Sequence, residues 1–409
     1  MSSCIVVTGL GVVSSLGSDV EQLWSSLLEG RSGISEVESF DTSAYRVHRG
    51  GEVRDFQPER YLRHLDPGSM GRASQMAVAA ALSAVADAGL RSGGPHDPDP
   101  ERVGVVMGTT SGEPREVERF NDLLVAEELD RLGPELATRY PNHVIAGQVA
   151  AELDLCGPNA MIPTACAAGN YALAYALDTL RCGRADVMLA GGADAFSRIT
   201  YTGFARLGAI APERCQPFDR NRQGMIPGEG AAVLVLETEE QARRRGARIY
   251  AEVAGYGLSC DAHHMTAAHP EGAGAARALE GALASSGVAA EQIDYVSAHG
   301  TGTPTNDKLE TMALKRVFGD HATRVPVSSV KSMLGHTMGA ASAIEALVCC
   351  LAIRDGAVPP TANFEEPDPE CDLDIVPNEA REVPVSVAMS NAYAFGGNNA
   401  SVLFRECVS

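Results

Sequence analysis

The sequence repeats itself, because two stretches of similar order and composition follow each other along the chain. An apolar strand pattern that runs into glycines and a turn occurs at residues 4–14 and again at 249–259. Apolar runs that lead into Gly-Thr occur at 103–110 and again at 293–301. Repeated patterns favour repeated local structure, so we expect the chain to fold as two related units.

A further repeated unit joins a strand to a helix and carries reactive side chains. One strand pattern ends at Cys166 and leads into a helical pattern at 167–181. The other ends at Lys331 and leads through His336 into a helical pattern at 340–354. Both helical patterns are closed by a glycine, which is typical of a helix C-terminus.

A glycine follows each reactive side chain by three residues, Gly169 after Cys166 and Gly339 after His336. This spacing treats Cys166 and His336 as equivalent positions and predicts close packing of helix against strand. Alternating strands and helices with short glycine-rich connections indicate an α/β fold with mostly covered sheets. We divide it into two duplicated halves, residues 1–247 and 248–409.

Composition narrows the classes of function. The chain has 409 residues, 45% of them apolar, so a large core is available. Its 33 Lys and Arg against 53 Asp and Glu give a net charge of −20, which argues against nucleic acid as a partner. No apolar run approaches the ~20 residues that span a bilayer, and no signal peptide is evident. We therefore expect a cytoplasmic protein without membrane contact, whose ten scattered cysteines are reduced thiols.

Cys166 is the most informative of these cysteines because it lies between an apolar strand and a helix. There its sulfur would face free backbone N–H groups and the positive end of the helix dipole. Both effects lower a thiol pKa and can stabilise an oxyanion. The other interpretation, a small buried apolar residue, stays open on spacing alone.

Two histidines also stand at places where chemistry is expected. His299 and His336 both come at glycine-rich turns close to the end of a strand, where a side chain is presented at the sheet edge. A second group, His263, His264 and His269, lacks the cysteine or carboxylate spacing of a zinc site and is interpreted as a loop. We expect no metal site.

Four motifs in register give the chain a resemblance to a known family. They are Thr-Ala-Cys-Ala-Ala-Gly at 164–169, His-Gly-Thr-Gly-Thr at 299–303, Lys-Ser-Met-Leu-Gly-His at 331–336 and Ala-Phe-Gly-Gly-Asn-Asn at 394–399. In this order they resemble β-ketoacyl-acyl-carrier-protein synthases of the condensing-enzyme-II type, across essentially the whole chain. The resemblance implies the thiolase-like, five-layered αβαβα fold of two duplicated halves, usually as a dimer.

The resemblance also implies a mechanism of decarboxylative Claisen condensation. Cys166 would take the acyl chain from a carrier-protein thioester, and His299 and His336 would stabilise the enolate formed from malonyl carrier protein. Backbone N–H groups of Cys166 and Phe395 would form the oxyanion hole, with Phe395 as gate. Lys331 would tune the local electric field.

Other residues take supporting roles by the same resemblance. Glu345 would pair with Lys331, and Asp307 and Glu310 would support the turn at His299. Arg63 and Arg206 match positions that contact the acidic carrier protein, although both can equally be solvated surface arginines. No cofactor is implied, since the substrates arrive on the phosphopantetheine of the carrier protein.

Some positions depart from the family pattern. Ala394 replaces a glycine, Asn398 a threonine, Met225 a phenylalanine, and Ser111 a bulky isoleucine of the acyl pocket. Smaller or more flexible groups should change the pocket and the gate, which favours a specialised type II polyketide or polyene pathway over general fatty-acid synthesis.

Three other functions were weighed. A non-catalytic chain-length factor is disfavoured because such chains lack the nucleophile, although pairing with one, in place of a homodimer, fits the resemblance. An acyltransferase on the same fold that does not condense stays open. A coenzyme-A-dependent thiolase is disfavoured because two histidines and a lysine, rather than a second cysteine, accompany Cys166.

Overall fold

The computed structural model describes residues 4–90 and 98–407. Its helices follow the predicted alternation with strands. They are α1 (Val20–Leu28), α2 (Arg72–Asp87), α3 (Pro114–Val125), α4 (Glu135–Arg139), α5 (Val144–Glu152), α6 (Ala168–Arg181), α7 (Arg198–Arg206), α8 (Glu239–Arg244), α9 (Ala273–Ser286), α10 (Pro304–Phe318), α11 (Lys331–Leu334) and α12 (Ala341–Asp355). None of these helices is both long enough and apolar enough to cross a membrane.

The strands of the described residues form one large sheet and two short ribbons. They are β1 (Ile5–Ser14), β2 (Ser35–Glu36), β3 (Arg49–Gly50), β4 (Val103–Gly108), β5 (Asn159–Ile162), β6 (Val187–Asp194), β7 (Gly230–Thr238), β8 (Ala251–Cys260), β9 (Tyr295–Ser297), β10 (Pro326–Ser328), β11 (Ala357–Val358), β12 (Asp374–Ile375), β13 (Arg381–Glu382), β14 (Val387–Tyr393) and β15 (Asn398–Arg405).

The large sheet shows the duplication directly. Its strand order is β12-β10-β9-β14-β15-β8-β1-β7-β6-β4-β5. Read outward from the centre, β1-β7-β6-β4-β5 and β8-β15-β14-β9-β10 use corresponding strands in the same order, with β12 added at one edge. The two sets meet where Val6 and Val7 of β1 pair with β8. The division at 247/248 falls between α8 and β8 and stays a prediction.

Helices cover both faces of the two strand sets and create five layers. α2 and α5 pack outside the first set, and α9 with α10 pack outside the second. Between the two sets lie α6 and α12, which contact each other and both sets of strands. Nearly all of α12 is buried, as expected for an apolar helix in a middle layer. The middle-layer helices therefore begin in the interior, where both halves meet.

The glycines of the first strand do not form the predicted turn. β1 continues through Gly9 and Gly11 to Ser14, still paired with β7. A Cβ on Gly11 would lie 2.0 Å from the carbonyl oxygen of Ala80 in α2, and one on Gly257 of β8 would lie 2.0 Å from that of Ala278 in α9. In both halves, glycine is needed because the outer helix rests on the strand backbone.

The structure also changes the alignment of the third repeated unit. A short 3-10 helix precedes each middle-layer helix, Ala165–Ala167 before α6 and Met338–Ala340 before α12. Each begins with a residue in the left-handed region, Ala165 at φ 51° and Met338 at φ 55°. Cys166 is therefore equivalent to Gly339. The predicted equivalence of Cys166 with His336 is wrong, because His336 lies in the loop before the short helix that contains Gly339.

Candidate active site

Side chains from both halves meet at one cavity of about 220 Å³. Cys166 comes from the first half, and His299 and His336 come from the second, with Phe395 at the opening. The two imidazole ring centroids lie 5.5 Å apart with the planes at 84°. The structure thus brings together three side chains that lie far apart in the sequence.

Cys166 lies at the start of the middle layer, as the second residue of the short helix that leads into α6. Its side chain is 7% exposed, so the sulfur is reached only through the cavity. Within the described part of the chain, the backbone N–H groups of Cys166 and Phe395 donate to no backbone oxygen outside their own short helices, and the N–H of Cys166 faces the sulfur of the same residue. These two amides are available to a ligand oxygen.

The predicted lowering of the Cys166 pKa is wrong for the resting enzyme. Burial raises the pKa of the Cys166 thiol to about 12, and the carboxylates of Asp194 and Glu345 add to the rise. The Lys331 cation and the backbone N–H of Cys166 oppose it but do not outweigh desolvation. The thiol is therefore protonated at neutral pH and needs a proton acceptor when it reacts.

Both cavity histidines are suited to stay neutral. Burial and the Lys331 cation hold the pKa values of His299 and His336 well below the ordinary value of 6.5. Nδ1 of His336 accepts a hydrogen bond from the backbone N–H of Met338 at 3.2 Å. In a neutral imidazole this assigns the proton to Nε2, which is then a donor.

The turn at His299 is held by two buried carboxylates. Glu310 accepts the backbone N–H of His299 at 2.9 Å and that of Gly300 at 2.8 Å. Asp307 accepts the N–H of Gly302 at 3.2 Å, further along the same turn. Burial raises the pKa of Glu310 to about 8, and its two N–H bonds oppose that rise. Both residues lie on α10, behind the turn whose N–H groups they accept.

Behind the histidines, Lys331 and Glu345 form a buried ion pair through a short contact between Nζ and Oε1. Their side chains are 2% and 1% exposed. Burial raises the pKa of Glu345 to about 7, against the effect of the lysine. The pair is thus a charged group in a desolvated layer, close enough for Lys331 to act on Cys166 and both histidines.

The sequence analysis missed two buried residues near this site. Asp194, the last residue of β6, accepts hydrogen bonds from the loop after β4 and from Gly339. Arg222 pairs with Asp368 and lies 3.9 Å from Asp307 behind the His299 turn. A charged residue at the end of an apolar strand run was the signal for Asp194. Arg222 gave none, since its partners come from distant segments.

Aromatic side chains lie at the opening of the cavity. The rings of Phe395 and Phe204 lie 5.7 Å apart, and Phe395 is 39% exposed. Met225, predicted as a pocket residue, lines the same cavity. Ser111 does not line it: its N–H is bonded to Asp194 at 2.9 Å, and its hydroxyl lies 3.5 Å from that of Thr200 in α7.

The two predicted docking arginines lie on different elements. Arg206 is an exposed residue in the last turn of α7, two residues after Phe204 at the cavity opening. Arg63 is also exposed but lines a separate groove of about 620 Å³ between α2 and the loop after α5. That groove contains none of the predicted catalytic residues. In residues 4–90 and 98–407, no cluster of three His, Cys, Asp or Glu has the arrangement of a metal site.

Comparison with known families agrees with this geometry. Residues 2–242 match the profile described as β-ketoacyl synthase, N-terminal domain, and residues 250–365 match that of the C-terminal domain. Together these ranges make up most of the chain, which therefore belongs to the β-ketoacyl synthase family. It is a carbon–carbon-condensing acyltransferase of fatty-acid or polyketide synthesis.

Individual relatives cover the full length. The chain is 40% identical to 3-oxoacyl-[acyl-carrier-protein] synthase 2 of Synechocystis sp. over 409 residues, 98% of each chain. It is 43% identical to nodulation protein E of Rhizobium meliloti over 407 residues, 99% of this chain and 100% of that protein. A chain of the ishigamide ketosynthase/chain length factor matches with a TM-score of 0.96 at 45% identity, covering 100% of both.

A further solved structure shows a type II polyketide synthase acyl-carrier protein in complex with its ketosynthase bound to the hexaketide. It matches with a TM-score of 0.91 at 34% identity, covering 100% of both chains. These likenesses confirm the predicted thiolase-like fold of two duplicated halves.

Proposed function

We propose that Cys166 carries the growing acyl chain and that the two histidines drive loss of CO₂ from a malonyl group held on a carrier protein. The observation that carries this proposal is the meeting of a protonated thiol with two neutral imidazoles in one cavity. A neutral imidazole can accept the thiol proton and can donate a hydrogen bond, and the reaction needs both.

In the first step, the sulfur of Cys166 attacks the carbonyl carbon of the acyl thioester on phosphopantetheine. The thiol proton passes to a neutral imidazole and then to the departing pantetheine sulfur, whose bond to the acyl carbon breaks. The N–H groups of Cys166 and Phe395 bind the oxygen that becomes negative in the tetrahedral intermediate. No cofactor takes part, and the phosphopantetheine belongs to the substrate.

In the second step, the bond between the malonyl carboxylate and its methylene carbon breaks, and CO₂ leaves. The electron pair moves into an enolate, whose oxygen accepts hydrogen bonds from His299 and His336. The enolate carbon then attacks the acyl group on Cys166, the carbon–sulfur bond breaks, and the thiolate regains a proton from solvent. Lys331 favours the neutral form of both imidazoles, because its charge disfavours their protonation, and an imidazole that takes the thiol proton in the first step therefore passes it on readily.

The choice of pathway and partner extends the same proposal. We infer a type II polyketide or polyene pathway, supported by the likeness to the ishigamide ketosynthase/chain length factor. The exposed apolar side chains Leu124, Val125, Leu129 and Tyr140 on and after α3 support a protein partner at this face. We propose that this partner is a homologous chain, either a chain-length factor or a second copy.

The test of the reaction separates its two steps with His336→Ala. Acylation of Cys166, followed by intact mass, should stay within about 3-fold, because His299 and the amide N–H groups are retained. Release of CO₂ from a malonyl group on a type II carrier protein should fall by roughly 10²- to 10⁴-fold. If the wild-type enzyme transfers acyl groups but releases no CO₂, the condensing reaction is wrong and a simple acyl transfer replaces it.

Docking of the carrier is tested by Arg206→Glu. An acidic carrier approaching the cavity opening would meet repulsion in place of attraction, so we expect KM to rise by roughly 5- to 10-fold with kcat unchanged. The difference should shrink as salt is added, because exposed charges are screened. Arg324→Glu, at an exposed position on the second half, is the matched control. An equal rise in KM for both variants would show a general charge effect and refute docking at Arg206.

A further inference from the structure

The duplicated fold places a second helix opening beside the active site. Gly339 is the counterpart of Cys166, since each is the second residue of a short helix that starts with a left-handed residue. At Cys166 the backbone N–H faces the sulfur of the same residue, whereas at Gly339 it donates to Oδ2 of Asp194 at 2.7 Å. A carboxylate of the chain itself thus occupies the anion position of the second opening.

Each carboxylate oxygen of Asp194 accepts two hydrogen bonds. Its Oδ1 accepts the hydroxyl of Thr109 and the N–H of Ser111, both at 2.9 Å. Its Oδ2 accepts the N–H of Thr110 at 2.7 Å besides that of Gly339. A Cβ on Gly339 would lie 2.6 Å from Oδ2 and 2.6 Å from the backbone carbons of Thr109, so a side chain there would press on both the carboxylate and the loop that it binds. The first three bonds lie within one half, and the fourth joins it to the other.

This fourth bond lies next to the contact that orients His336. Met338, directly before Gly339, has φ 55° and donates its N–H to Nδ1 of His336. A left-handed conformation is costly for methionine and persists only where its neighbours hold it in place. The bond from Gly339 to Asp194 holds the following peptide, and so keeps the Met338 N–H aimed at the imidazole.

We propose that Asp194 is a positioning residue for His336, a carboxylate from the first half that fixes the loop 336–339 of the second half. This proposal rests on the proposed function, because it gives Asp194 a part in the step that releases CO₂. The acylation step does not use the Nε2 hydrogen bond of His336, so it does not need this loop to be fixed.

The primary test is Asp194→Asn. The amide of asparagine keeps one acceptor oxygen but turns its NH₂ towards the N–H groups of Thr110 and Gly339. We expect CO₂ release to fall by roughly 10- to 100-fold, the size of effect that a small misplacement of a reacting group causes. Acylation of Cys166 should stay within about 3-fold. Glu113→Gln is the matched control, because Glu113 is also buried and accepts two backbone N–H groups and a hydroxyl, but it lies directly before α3 and its donors are in the first turn of α2.

A second measurement follows the effect of the Asp194 charge on the reactivity of Cys166. The Asp194 carboxylate raises the pKa of the Cys166 thiol, so its loss should move the curve of iodoacetamide labelling against pH to lower pH. The wild-type curve should still be rising at about pH 9, because burial keeps the thiol protonated. Gly339→Ala, whose Cβ would press on the Thr109 backbone as well as on Oδ2, displaces the same contact without removing the charge. It should reduce CO₂ release while leaving the labelling curve nearly in place.

The outcomes separate the two proposals. If wild-type enzyme releases no CO₂, the proposed function fails whatever Asp194 does. If it does, and Asp194→Asn reduces acylation and CO₂ release equally or leaves both unchanged, the positioning role is wrong. Should Asp194→Asn unfold, Gly339→Ala decides by the same comparison, and formate added to Asp194→Ala should restore CO₂ release where chloride does not.

Discussion

Replacing Cys166 with alanine should remove acyl-enzyme formation entirely and reduce condensation to the background rate. Enzymes that lose their nucleophile lose factors on the order of 10⁶ in kcat, because no other group completes the covalent step. In this chain the N–H groups of Cys166 and Phe395 would still bind a thioester oxygen, yet no sulfur would be present to attack it. Intact-mass spectrometry after incubation with acyl carrier protein measures the loss directly.

The matched control is Cys350→Ala. Cys350 is as deeply buried as Cys166 but lies within α12, away from the cavity. The Cys350→Ala variant should form the acyl-enzyme at the wild-type level. Its stability should be slightly lower, because a buried sulfur is lost. Normal acylation of the Cys166→Ala variant would mean that another of the ten cysteines is the nucleophile, and the proposed chemistry would have to be rebuilt around it.

Lys331→Met should cost both stability and CO₂ release. Removing one partner of a buried ion pair typically lowers the free energy of unfolding by about 3–5 kcal/mol, because the other charge is left without compensation. In this variant Glu345 can avoid an unpaired buried charge by taking up a proton, since burial already raises its pKa to about 7. The loss measured by urea unfolding should therefore be larger at pH 8, where the carboxyl must lose its proton, than at pH 6.

A double variant separates structure from chemistry. Lys331→Met with Glu345→Leu removes both charges and should bring stability back to within about 2 kcal/mol of wild type. CO₂ release should stay low, and its acidic limb should move to higher pH, because the cation that lowers the pKa of His299 and His336 is gone. Full activity in the double variant would refute the role given to Lys331. Lys308→Met, in an exposed ion pair, is the control and should change stability by less than about 1 kcal/mol.

Much of this architecture could be predicted from the sequence because it is local or repeated. The strand and helix patterns repeat in the same order, so a duplicated α/β fold was accessible without coordinates. The pairing of Lys331 with Glu345 and the position of Glu310 behind the His299 turn were implied by the resemblance to the family rather than by a local pattern.

What could not be predicted depends on contacts between distant segments. The glycines of β1 looked like a turn, and only the position of α2 shows that they make room for a helix. The pKa of Cys166 depends on how completely neighbouring layers exclude water, which no local pattern reveals. Asp194 acts on a loop that lies 145 positions further along the chain, so its partner could be found only in three dimensions.

The origin of the reactive groups in different halves has a consequence for the newly made protein. Domains tend to fold in order as the chain leaves the ribosome. Cys166 belongs to the part that emerges first, and the two histidines and Lys331 emerge much later. A half-finished chain thus holds the thiol but neither histidine nor Lys331, so the proposed release of CO₂ has to wait until the second half has docked.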